Sequence, residues 1–158
     1  MIYKRQTSKT MQVEIFVLCD KFVMGKSPEG QIVWSIVGPF DSIDLPTFPA
    51  RISFTIVSAI RFFAEEHGDH KIEICMIDAD LRQLVEPATK KPIGISKNIK
   101  VPDTNKPHCQ FEVWSAGQPG KIAGGGGAWI EKPGDYFFDL KVDGKNSGRL
   151  PLHISSAR

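Results

Sequence analysis

The stretch GDYFFDLKVDGKNSGRLPLHI, residues 134–154, decides how the rest of the sequence is read. Tyr136, Phe138, Leu140 and Val142 alternate with Phe137, Asp139 and Lys141, the period of two shown by a strand that buries one face. Asp143-Gly144 interrupts the run, and Leu150, Leu152 and Ile154 begin a second alternation, so the segment predicts a β-hairpin. Directly opposed residues share a face, which constrains the register. A bare two-residue turn at Asp143-Gly144 would set Phe138 against Arg149 and bring Pro151 and His153 beside the aromatic core. An odd-length loop, or a bulge, is therefore expected within Asp143–Arg149. Asp139 falls on the alternate face, where its loss is expected to be tolerated unless it makes a specific contact.

Such a hairpin needs an opposing apolar sheet, and the chain supplies further alternating runs. Met11 to Cys19 sets Val13, Ile15 and Val17 against Gln12, Glu14 and Phe16, a strand with one wet face. Gln31 to Val37 is β-rich on both faces apart from Ser35, and follows a turn cluster at Gly25 to Gly30. Gly38 to Pro49 holds three prolines and reads as an irregular crossing. Arg51 to Glu66 is ambiguous: Ile52, Ile56, Ala59, Ile60 and Phe63 would make a helical stripe closed by Gly68, while enrichment in Ile, Val, Thr and Phe favours a long strand. His70 to Asp78 is a strand with Ile72, Ile74 and Met76 on one face, followed by a turn at Asp78-Ala79-Asp80. Pro87 to Pro107 carries five lysines and reads as a loop with one edge strand; Cys109 to Trp114 is another strand. About seven to nine short strands with little helix predict an all-β, antiparallel β-sandwich.

The chain of 158 residues suits one sandwich domain over residues 11–158, preceded by a flexible, polar and basic arm at residues 1–10. With 20 basic and 18 acidic side chains the net charge is +2, too balanced to point to nucleic acid or an anionic membrane as partner. Cys19, Cys75 and Cys109 are far apart and odd in number, so they read as buried thiols in a reducing, cytoplasmic setting.

The segments Leu18-Cys19-Asp20, Val37-Gly38-Pro39-Phe40-Asp41-Ser42-Ile43, Phe48-Pro49, the Glu66-His67-Gly68-Asp69-His70 turn and Gly134 to Gly144 resemble an uncharacterised bacterial and archaeal family of small β-sandwich domains of unknown function. The resemblance spans roughly Met11 to Ile154 and implies a fold without an activity. Lys90 to Lys106 and Gly124 to Gly127 have no counterpart in it.

Few residues suggest chemistry. His67 and His70 flank Gly68-Asp69 and could begin a metal site, with Asp78 as a further ligand, but one tight turn cannot supply a full set. Asp78 and Asp80 read as turn residues. Gly124 to Gly127 lacks the Lys-Ser or Lys-Thr that a phosphate loop needs. The lysines between Lys90 and Lys106 lack interleaved aromatics for stacking bases. Trp114 lies opposite Phe111 and Val113, and as an outward tryptophan it could build a binding platform with Trp34 or Trp129. Three readings follow. The leading one is a non-enzymatic interaction or assembly module using an exposed sheet edge or loop cluster, its partner another protein or a second copy of itself, with no cofactor. The others are a small-molecule or carbohydrate binder using Trp34, Trp114 and Trp129, and a metal-dependent enzyme using the His67/His70 turn.

Overall fold

Among the described residues, 10–117 and 127–158 of a computed structural model, eleven strands follow one another. They are β1 (Gln12–Lys26), β2 (Ile32–Pro39), β3 (Ser42–Leu45), β4 (Ala50–Ile52), β5 (Phe54–Phe62), β6 (Gly68–Asp78), β7 (Gly94–Val101), β8 (His108–Ala116), β9 (Ala128–Ile130), β10 (Gly134–Val142) and β11 (Lys145–Ser156). One sheet has the order β2-β1-β5-β8, the second β3-β11-β10-β6-β7, and β4 and β9 form a short separate ribbon. This is the all-β sandwich that the alternation predicts. One pair departs from the antiparallel rule: β3 runs parallel to β11. The expected N-terminal arm, apart from Thr10, and Gly124 to Gly126 lie outside the described residues.

The last hairpin contains the expected bulge. Val142 opposes Lys145 across a two-residue turn in which Asp143 and Gly144 have φ of 51° and 78°, the left-handed pair of a type I′ turn. Lys141 then faces Asn146 but Leu140 faces Gly148, so Ser147 is the extra residue, and Phe138 opposes Leu150 rather than Arg149. Gly148 has its own reason to be small: a Cβ there would come within 3.1 Å of the Phe16 ring from the facing sheet.

A second bulge was not anticipated. In β1, Val13 opposes Ile60 but Ile15 opposes Ala59, leaving Glu14 unpaired. Beyond it Phe16 and Leu18, not Ile15 and Val17, turn to the core with Val13, so the expected wet face of Phe16 is corrected. The expected single strand over Arg51 to Glu66 breaks at Ser53 into β4 and β5 and ends before a 3₁₀ turn at Ala64–Glu66.

The core lies between the two sheets. Phe54, Ile56, Ile60 and Phe62 of β5 meet Ile72, Ile74, Met76, Phe138, Leu140, Leu152 and Ile154. At its centre Phe54 packs edge-on against Phe138 and Trp114, with ring centroids 4.8 and 5.2 Å apart. The opposite face of β5 is covered too, since Thr55, Val57 and Ala59 are buried. β1 pairs with β5 only as far as Cys19, and from Lys21 it pairs with β2 alone. This two-stranded ribbon crosses β5 on its outer side, because Phe22 and Trp34 stack at 5.4 and 5.2 Å on Phe111 of β8, the strand beyond β5. Near the end of the ribbon Gly38 has the left-handed φ of +62°, and a Cβ there would have to displace the Asp20 carboxylate.

Asp139 does make a specific contact. It is 4% exposed, and both its oxygens accept from the Arg149 guanidinium at 2.6 and 2.8 Å. Arg149 in turn lies over the Phe137 ring. Urea unfolding should therefore show Phe138→Ala costing about 3–5 kcal/mol from the lost core aromatic. Asp139→Ala should also lower the midpoint. Arg149→Ala should lower it further, because it leaves a buried carboxylate without its counter-ion whereas the freed arginine can turn to water. An unchanged midpoint in Arg149→Ala would contradict the assignment.

Candidate functional site

The largest set of exposed apolar side chains sits on the β1–β2 ribbon. Val23, Met24, Ile32, Val33, Trp34 and Val37 are all exposed, with Met24 at 66% and Ile32 at 69%. Alternation sorts them. Phe22, Met24, Trp34 and Ile36 share the side that stacks on Phe111, and Val23, Val33, Ser35 and Val37 share the other. β2 ends its sheet, so its outer backbone edge has no strand partner among the described residues. From Ile32 to Pro39 it carries no charged side chain. The sequence shows this run as apolar on both faces, but alternation alone cannot say that one edge stays unpaired.

The three tryptophans do not converge. Trp34 is on the ribbon. Trp114 faces the core and packs against Phe54 and Phe138, which corrects the expectation that it points outward; the outward residues of β8 are Phe111 and Val113. Trp129 of β9 has the Arg51 guanidinium over its ring at 5.3 Å, and Arg51 is held by two hydrogen bonds to Glu86 at 2.7 and 3.0 Å. Trp129 also borders an open hollow of about 280 Å³ with Asp78, Arg82, Glu131 and Tyr136.

The histidine turn is occupied by structural bonds. His70 Nδ1 meets the Asp143 carboxylate at 2.7 Å and its Nε2 meets the Glu66 carbonyl oxygen at 2.7 Å, while the ring stacks on Phe62 at 4.7 Å. Both partners are acceptors, an arrangement that suits the doubly protonated ring. Burial works against that charge, but the Asp143 carboxylate and the Glu66 carbonyl hold the His70 pKa above its ordinary 6.5. Burial likewise opposes ionisation of Asp143, yet the Lys71 amide and His70 keep its pKa below the ordinary 3.8. His67 instead meets the Ala64 carbonyl oxygen at 3.2 Å. Asp78 accepts from the amides of Asp80 and Arg82, both at 2.9 Å, which makes Asp78-Ala79-Asp80 the turn expected of it. Among the described residues no three His, Cys, Asp or Glu side chains group as metal ligands.

The lysine-rich segment contains edge strand β7, and Lys97 reaches both oxygens of Glu112 at 3.0 Å. The three cysteines are free thiols; Cys19 is buried, Cys75 half-buried and Cys109 exposed, the last correcting the expectation of uniform burial. No helix is long and apolar enough to cross a membrane among the described residues.

A family model described as a family of unknown function, DUF6941, matches residues 14–155. No curated protein matches. Among solved structures the chain is similar to the Pseudomonas fluorescens alkylpurine DNA glycosylase AlkC bound to DNA containing an abasic site analog, at 9% identity and a TM-score of 0.43, over 92% of this chain and 30% of that one. It is also similar to a β-glucosidase from Listeria innocua in complex with isofagomine, at 7% identity and a TM-score of 0.41, over 90% of this chain and 16% of that one. The chain thus spans less than a third of either, and neither activity carries over to it.

The His70–Asp143 clasp gives stability a defined pH dependence. The raised His70 pKa contributes stability that is fully present below 6.5 and is lost as pH rises through the folded value. The depressed Asp143 pKa contributes stability present above 3.8 and lost as pH falls through its folded value. Urea unfolding over a pH series should show both limbs in the parent protein and a flatter profile in Asp143→Asn, which keeps a turn-compatible residue but removes the charge. Parallel profiles for the two proteins would contradict the clasp.

Proposed function

We propose a function on the premise that the chain belongs to DUF6941, a family of unknown function: it acts without catalysis, as a β-sandwich module that binds a protein partner through its β1–β2 ribbon. One observation carries this reading, the exposure of Val23, Met24, Ile32, Val33, Trp34 and Val37 on a single two-stranded element. Isolated apolar residues are ordinary on a protein surface, whereas Val23, Val33 and Val37 are grouped on one side of the ribbon, and a grouped set marks an interaction site. The sandwich serves as a rigid support, because Phe22 and Trp34 seat the ribbon on Phe111. An uncharged sheet edge suits recognition by strand addition, in which main-chain hydrogen bonds supply affinity and alternate side chains supply specificity.

The polar residues support a non-enzymatic role, since His70, Asp78 and Asp139 are each engaged in bonds that hold the fold. Three free thiols support a cytoplasmic setting. A second reading, binding of a small molecule or carbohydrate, has the hollow beside Trp129 in its favour. It would use that tryptophan alone, with Trp34 and Trp114 elsewhere.

The test is affinity capture from the native cell extract with the tagged protein and with a Val23→Glu/Val33→Glu variant of matched thermal stability. A protein retained by the parent, the untagged chain included, and lost from the variant is the expected result. Identical captured sets would overturn the reading.

A further inference from the structure

We infer that the partner of the ribbon is a second copy of this chain, joined by antiparallel pairing of β2 with β2 across a two-fold axis at Ser35. The inference rests on the ribbon being the docking surface and adds what docks there.

The sheet edges differ in their protection. Edge strand β7 carries Lys97 and Lys100, and β3 is four residues long with Asp44 within it. Edge β8 is bridged by Glu112 to Lys97. Charges and short length are the usual means of preventing edge-to-edge pairing. β2 has neither device: its eight residues, IVWSIVGP, contain no charge, and its proline is the last of them. An unprotected edge of that length is a template for another strand, and its own sequence is the template's complement.

The register follows from parity. A two-fold axis normal to the sheet keeps each side chain on its own face, so opposed residues differ by an even number of positions. Centring the axis on Ser35 sets Trp34 opposite Ile36 and Val33 opposite Val37 of the second copy. Every apolar residue at the centre of β2 then meets an apolar residue, an aromatic and a β-branched side chain on one face and two valines on the other, the combinations that cross-strand pairing favours. Within β2 no charges meet at the seam, and the two four-stranded sheets become one of eight strands. Along the paired strand itself Ile32, Val33, Trp34 and Val37 are exposed apolar side chains.

The experiment is sedimentation velocity across the micromolar range, with hydrogen exchange on the same samples. The parent should sediment at twice the chain mass of 17.6 kDa. Ser35→Lys, at an exposed position, sets two lysines against each other at the axis and should sediment at the single-chain mass, with faster exchange confined to the β2 amides and unchanged circular dichroism. Asn98→Lys, exposed on edge strand β7, should remain a dimer and shows that an added lysine by itself has no effect. A monomeric parent, or a dimer that Ser35→Lys leaves intact, overturns the proposal. If the parent is monomeric yet the Val23→Glu/Val33→Glu variant still loses a captured protein, only the identity of the partner fails and the ribbon remains the docking surface. If capture is also unchanged, both fail.

Discussion

Parity governs this molecule: opposed residues of neighbouring strands share a face, and one extra residue exchanges the faces of everything beyond it. The sandwich uses this twice. Ser147 restores Phe138, Leu140, Leu150 and Leu152 to one side after a tight turn that would otherwise have split them. Glu14 turns Phe16 and Leu18 inward from a strand whose first residues already point Val13 there. The two corrections meet, because Phe16 lies over Gly148, the residue next to the first bulge. A shift in either strand would leave the other with a ring and no space, or a space and no ring.

The Ser147 bulge could be read from the sequence because two clear apolar alternations, separated by a recognisable turn, can be joined in only one parity. The Glu14 bulge could not. Val13, Ile15, Phe16, Val17 and Leu18 are apolar in nearly unbroken succession, and such a run is compatible with either face. For the same reason Arg51 to Glu66 looked both helical and extended. β5 is buried on both sides, by the core and by the returning ribbon, so no wet face marks its period. For Asp139 the expectation of tolerance depends on its making no specific contact, and that condition is not met. Alternation gave its face correctly but did not reveal that Arg149, directly opposite, would enclose it.

The candidate site was visible as composition and hidden as geometry. Gln31 to Val37 stands out as apolar on both faces, and a sheet edge was a natural place for an interaction. That β2 is the edge left open is a property of the strand order, in which no described strand pairs with its outer side. The tryptophans carried less than their size suggested, since Trp114 belongs to the aromatic centre of the core. His70, a candidate ligand by sequence, instead ties two turns together across 73 residues of sequence.

The parallel pairing of β3 with β11 bears on how the protein is made. The hydrogen bond between Ser155 and Asp44 spans 111 residues, and His153 opposes Ser42 in the same ladder. On a ribosome, β3 therefore emerges long before β11, the strand it pairs with, and it waits through the synthesis of β5, β6 and β8. Contacts so distant in sequence carry a large loop-closure cost and slow the search for the native state. The inner face of the first sheet is only partly covered, by Ile72, Ile74 and Met76 of β6, until β10 and β11 bring Phe138 and Leu152 to it. Misassociation is therefore most open to the chain in the interval before β10 and β11 are made.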